Sequence, residues 1–116
     1  MGEIQLQRQC IKAAAQVGIW CYLVRAEKGR GRGEPAVEPG TPDIDAPGLG
    51  RVEMKLPSET LSAVQREWHR KAIAQGERVA TCYSVGECVR TLLEWRREKA
   101  AGQRRCPIER CPLEEQ

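Results

Sequence analysis

The sequence predicts an α/β protein, a mixed β-sheet flanked by helices in the order α-β-β-β-α-β-α. Three observations predict it. Apolar stripes at helical spacing alternate along the chain with short runs of strand character. A stretch punctuated by Pro and Gly, residues 40–56, reads as a β-hairpin. Helices are interleaved with strands rather than gathered at one end, which favours layers of helix on sheet.

Residues 3–17 read as the first helix, because Ile4, Ile11, Ala14 and Ala15 fall on one stripe, and Gly18 stands where glycine commonly ends a helix. Glu3 lies at the edge of that stripe, in the first turn, where a carboxylate is also favoured by the helix dipole. Ile19 to Val24 is a continuous apolar run with Trp20 and Tyr22, expected as a strand buried on both faces or nearly so. Residues 26–39 hold Gly, Pro and mixed charge and are expected to form a long loop, a length that points to function or disorder.

The hairpin reads Thr41-Pro42-Asp43-Ile44-Asp45, a turn around Gly48, then Arg51-Val52-Glu53-Met54-Lys55. Side chains on a strand alternate between faces, so Val52, Met54 and Leu56 share one face and Arg51, Glu53 and Lys55 the other. A turn centred near Gly48 sets Asp43 across from Glu53 and Asp45 across from Arg51. One face then carries two carboxylates and a lysine. Carboxylates directly opposite each other repel, and either Lys55 or a divalent metal could offset that charge.

Leu56-Pro57-Ser58-Glu59 reads as a connector, with Ser58 or Thr60 capping a helix that runs to about Gln75. Leu61, Val64, Trp68 and Ala72 form its stripe. Gln65 falls within that stripe, so its amide needs a partner, either in the core or at the hairpin's acidic face. His69, toward the stripe's edge, is expected at the surface or in a structural place. Gly76 stops the helix. Residues 78–83 read as a further strand, and Ser84-Val85-Gly86-Glu87 has the spacing of a capping box opening the last helix. Val85, Val89 and Leu92 define that helix's buried stripe, with Cys88 and Trp95 along one side. Residues 1–99 are taken as one domain and residues 100–116, rich in Gly, Pro and charge, as a loose tail.

A chain of 116 residues is most simply one domain, with 41% hydrophobic and 30% charged residues in the range of soluble globular proteins. Such a domain buries roughly 65% of its unfolded surface. No run approaches the ~18 apolar residues of a membrane span. The start of the sequence lacks a signal peptide's basic and apolar regions, so a cytoplasmic protein is expected. The net charge of +3 is mild, but Arg25, Lys28, Arg30 and Arg32 cluster in the glycine-rich loop, and Arg96, Arg97, Lys99, Arg104 and Arg105 near the end. Such clusters suit a polyanion such as nucleic acid, or are simply solvated. Six cysteines without a Cys-x-x-Cys pair are weak evidence for disulfides, and Cys106 and Cys111 are loosely compatible with zinc.

Gly40-Thr41-Pro42-Asp43, about ten residues, Glu53-Met54-Lys55 and then Gln65 and Trp68 on a following helix together resemble the PD-(D/E)xK nuclease superfamily. Within it the chain is most similar to the VRR-NUC domains, particularly the stand-alone versions of phages and prophages. The likeness spans roughly residues 3–97, with Glu3 resembling the acidic residue of the family's first helix. It implies a restriction-endonuclease-like fold and a Mg2+- or Mn2+-dependent endonuclease. Asp43 and Glu53 would hold the metal with the Met54 carbonyl. Lys55 would hold the nucleophilic water or stabilise charge on phosphate, with Gln65 and Glu3 as further members of the site. The resemblance also implies a small homodimer acting on DNA, branched DNA such as a four-way junction among its substrates. Two other readings stand beside this one: a non-cleaving nucleic-acid-binding module of the same fold, and an unrelated zinc-bearing interaction domain.

Overall fold

The computed structural model describes residues 2–24 and 38–105, with side chains to residue 102. Its elements are α1 (Glu3–Gln16), β1 (Tyr22–Leu23), β2 (Ile44–Ala46), β3 (Gly50–Met54), α2 (Ala63–Ala74), β4 (Val79–Cys82) and α3 (Val85–Arg105). The order is the α-β-β-β-α-β-α expected from periodicity. The four strands form one mixed sheet in the order β1-β2-β3-β4, antiparallel except for the parallel pair β3–β4. That pair needs a crossover, which α2 supplies. Arg25, Lys28, Arg30 and Arg32, expected to meet nucleic acid, lie outside the described residues, as do Cys106 and Cys111.

One face of the sheet carries the core. Ile44, Ala46, Val52, Met54 and Cys82 meet Leu6, Cys10 and Ala14 of α1 and Cys88 and Leu92 of α3, all nearly or fully buried. Four cysteines are free thiols buried in this core or at its edge: Cys10, Cys21, Cys82 and Cys88. Cys10 points its Sγ at Met54 Sδ, 3.7 Å away. They behave as small apolar residues, as free buried thiols commonly do.

The first helix buries a face turned from the expected one. Leu6, Gln7, Cys10 and Ala14 point inward, while Ile4 is 55% exposed. Glu3, Gln7, Cys10 and Ala14 recur at the i, i+4, i+7, i+11 spacing of one helix face. Glu3 therefore sits on the inward side and is half-buried. Gly18, at φ +82°, ends the helix as expected.

The first strand is shorter and wetter than its apolar run implied. Only Tyr22 and Leu23 pair with β2, and Trp20 and Tyr22 are exposed while Ile19 and Cys21 are buried. The strand is an edge with one wet face, so burial alternates.

The hairpin register is the expected one. Ile44 pairs with Val52, Asp45 with Arg51 and Ala46 with Gly50, around Gly48 at φ +82°. Gly50 is required by packing: a Cβ there would lie 2.6 Å from the Arg78 carbonyl oxygen.

The cap of α2 is Ser62, rather than Ser58 or Thr60. The Gln65 N–H donates to Ser62 Oγ (3.1 Å) and the Ser62 N–H donates to Gln65 Oε1 (2.9 Å), a reciprocal capping box. The buried side of α2 differs from expectation at Val64, which is 52% exposed, while His69, 8% exposed, takes the structural place that was one of its two expected settings. The helix lies across the sheet's polar face, so its inward residues are Gln65, Trp68 and His69. The Ser84 capping interaction of α3 is present, with the Glu87 N–H donating to Ser84 Oγ at 3.1 Å. That helix continues to Arg105, so residues 100–105 of the expected tail are helical. No helix of the described residues is long and apolar enough to cross a membrane.

Candidate functional site

The second face of the sheet gathers the polar side chains. Tyr22, Asp45 and Arg51 lie abreast across β1, β2 and β3, since they are successive cross-strand partners. One step along the strands, the same alternation brings Asp43, Glu53 and Lys55 to that face. The structure therefore assembles the expected residues from four segments: Glu3 from α1, Asp43 ahead of β2, Glu53 and Lys55 from β3 and its end, and Gln65 from α2.

Glu53 is the centre of this group and is 1% exposed. The sequence set it on the sheet face opposite Val52 and Met54, and α2 covers that face, so Val52, Glu53 and Met54 are all buried. Its Oε2 accepts a hydrogen bond from Gln65 Nε2 at 3.2 Å, while its Oε1 is buried with no partner among the described residues. Burial pushes the Glu53 carboxyl up to about 9, the charge of Asp43 and a hydrogen-bonding contact with it add to the rise, and Lys55 opposes it.

Asp43 is held from behind by the backbone. The Met54 N–H donates to Asp43 Oδ2 at 3.2 Å, which fixes the aspartate across the hairpin from Glu53. Met54 thus divides its roles, with its side chain in the core and its peptide group at the site. Gly40, at φ +90°, steers the chain into Asp43 while pressed against α2, where a Cβ would lie 2.6 Å from the Val64 carbonyl oxygen.

Glu59 joins the site, although the sequence reading treated it as part of a connector. Its Oε1 accepts from the Leu56 N–H at 2.9 Å, closing the turn after β3. Its carboxyl also meets that of Glu3. The Glu3 carboxyl is pushed up to about 7 by burial, then by the Glu59 contact and the charges of Glu59 and Asp43, against Lys55. The Glu59 carboxyl is held below the usual range, chiefly by the Leu56 N–H. A glutamate three residues after Leu56, across a Pro-Ser turn, was the available signal.

Four carboxylates and one lysine in one place make a charge arrangement that needs either protons or cations. The free Glu53 Oε1 is oxygen-donor capacity that the protein leaves unused, and hard divalent cations favour oxygen ligands. The donor set fits such an ion. Among the described residues, no three His, Cys, Asp or Glu side chains stand in a ready-made metal cage. Asp43 Oδ2 and Glu53 Oε2 are instead turned to Met54 and Gln65, which leaves peptide, water or phosphate oxygens to complete a coordination shell.

Beside the acidic group lies a pocket of roughly 360 Å3 between Arg51, Trp68, Lys71, Gln75, Glu38 and Glu77. The Arg51 guanidinium stands 5.5 Å from the centre of the Trp68 ring and 3.6 Å from Asp45.

No protein-family model matches the chain, and no curated protein or solved structure shows significant similarity to it.

Proposed function

We propose that the chain is a Mg2+- or Mn2+-dependent DNA endonuclease of the VRR-NUC kind, with a restriction-endonuclease-like fold. The observation that carries this reading is the buried Glu53. A fully buried carboxylate, one oxygen unpartnered and the other held by Gln65, faces Asp43 beside Lys55. Burying an unpaired ionised carboxylate is costly, and a cation shared with Asp43 removes that cost.

Asp43, Glu53 and the Met54 carbonyl would hold the cation. A divalent ion there would supply charge neutralisation for a phosphodiester and make water more acidic. The protein's own residues set the geometry. The Met54 N–H fixes Asp43 and the Gln65 amide fixes Glu53, so neither has to be ordered when the substrate arrives. Lys55 brings the positive charge to this group of carboxylates, suited to stabilising charge that develops on phosphate. Glu3 and Glu59 share a proton at the edge of the site and supply further acceptors for water.

DNA, including branched DNA, is the substrate on this reading, and a homodimer is the working form, since two sites about a two-fold axis cut two strands symmetrically. Four buried free cysteines accord with a reducing compartment such as the cytoplasm. A cleavage panel of linear, flap and four-way-junction DNA, with Mg2+ or Mn2+ and with excess chelator, tests the reading. Metal-dependent cleavage of any of these supports it, and the absence of cleavage from all of them overturns it.

A further inference from the structure

The pocket beside the acidic group has a composition that the nuclease reading does not use. Trp68 borders it with a partly buried indole, over which the Arg51 guanidinium lies 5.5 Å from the ring centre, and Gln75 offers an amide. Among the described residues, two cations, Arg51 and Lys71, are matched by two carboxylates, Glu38 and Glu77. A pocket with balanced charge and an aromatic wall is poorly suited to a phosphate, which seeks net positive charge. It suits a neutral, flat, hydrogen-bonding group. An aromatic face stacks any base, carboxylates accept from exocyclic amino groups, and arginine donates to ring and carbonyl acceptors.

Its place in the fold is equally specific. Arg51 and Glu53 are alternate residues on one face of β3, about 7 Å apart at strand spacing. Gln65, which holds Glu53, and Trp68, which lines the pocket, are three residues apart on one side of α2. The acidic group and the pocket are therefore neighbours on one surface, at a separation that one nucleotide bridges between its phosphate and its base. Within a duplex, a paired and stacked base cannot enter such a pocket.

We propose that the Trp68–Arg51 pocket receives an unpaired nucleobase flanking the phosphate that is cut. This deepens the nuclease reading and rests on it. It makes the substrate a DNA with at least one unpaired nucleotide at the cleavage point, such as a flap or branch. Trp68 stacks on the base, and Arg51, held 3.6 Å from Asp45 and too close to the Trp68 ring for a base to lie between them, meets the base at its edge.

The test uses the full chain in excess chelator, so that DNA is bound and not cut. Affinity is measured by fluorescence anisotropy for a fully paired duplex, a flap, and the same flap with an abasic residue at each unpaired position in turn. The wild-type protein is expected to bind the flap about tenfold more tightly than the flap abasic at one position, the scale of a single base–aromatic stack. Trp68→Ala should abolish that difference and leave duplex affinity within about twofold, and Trp68→Phe should retain most of it. The abasic series is read on the wild-type protein, so it decides the matter even if Trp68→Ala fails to fold. Equal affinity for the flap and every abasic flap overturns the proposal. A parallel assay with Mg2+ separates the two levels. Cleavage without base discrimination overturns the pocket alone, discrimination without cleavage supports the pocket and overturns the nuclease reading, and no DNA binding overturns both.

Discussion

Gln65 grips two elements at once. Its Oε1 accepts the Ser62 N–H that opens α2, and its Nε2 donates to Glu53 Oε2 on β3, at 2.9 and 3.2 Å. A residue that would otherwise only cap a helix thereby fixes the orientation of the most buried carboxylate in the site.

Gln65→Glu and Gln65→Ala separate these roles. Gln65→Glu keeps an acceptor for Ser62, as glutamate serves equally in a capping box, but loses the donor to Glu53. Gln65→Ala loses both and should cost about 1–2 kcal/mol in stability, the scale of a cap plus a hydrogen bond. Urea denaturation in chelator is the measurement. The glutamate variant should be near wild type at pH 5, where Glu53 is neutral, and clearly less stable above about pH 9, where Glu53 and the added carboxylate are both charged.

The pH dependence of stability without metal should carry the signature of Glu53. Its folded value of about 9 lies above the ordinary 4.5. Below pH 4.5 both states hold the proton and nothing is lost. As pH rises from 4.5 toward 9, the unfolded chain releases a proton that the folded chain must retain, so stability falls. Glu3, raised to about 7, acts in the same direction up to that value. Glu53→Gln should flatten the decline and raise stability at pH 8 by about 1–3 kcal/mol, the scale of an uncompensated buried polar group. Melting curves from pH 4.5 to 9 in chelator check this, and an unchanged slope in the variant would refute it.

Divalent metal should reverse that slope. An ion that binds only the folded chain stabilises it by mass action, by about 2.7 kcal/mol at a hundredfold excess over its dissociation constant. Because the carboxylates must lose protons to bind it, the gain in Tm with 10 mM Mg2+ (about a hundredfold excess if the constant is near 0.1 mM) should grow with pH. It should be absent in Asp43→Asn.

Gly40 is required by shape. Gly40→Ala adds a Cβ against the Val64 carbonyl and forces a left-handed φ on a residue with a side chain. The expected cost is about 1–3 kcal/mol, with a matching loss of activity because the displaced segment leads directly into Asp43. Full activity and unchanged stability would mean that the approach of this segment to α2 is not needed to place Asp43.

Much of this architecture was legible in the sequence. The hairpin turn at Gly48, flanked by alternating residues, fixed the pairing of Asp45 with Arg51 and so the opposition of Asp43 and Glu53. The rest depended on what covers each face. Alternation alone put Glu53 opposite the core but did not give its burial, because it does not say that α2 lies over the polar side of the sheet. The same helix explains why His69 is buried and Val64 exposed. Trp20 and Tyr22 read as buried because an apolar run looks alike in a central strand and at an edge. Glu59 was hidden because its role comes from a side chain folded back onto Leu56, a contact that no periodicity records.

The central claim is that the opposed carboxylates of Asp43 and Glu53, with Lys55, cut DNA. It is tested most directly by single-turnover cleavage of a flap or four-way junction in 10 mM Mg2+ by wild type, Asp43→Asn, Glu53→Gln and Lys55→Ala, each shown to be folded by its melting curve. Wild type should cleave and each variant should be slower by at least about a hundredfold, the scale of losing one charge-stabilising group, with DNA affinity in chelator retained by the two carboxylate variants. Folded Asp43→Asn and Glu53→Gln proteins that cleave at the wild-type rate would contradict it.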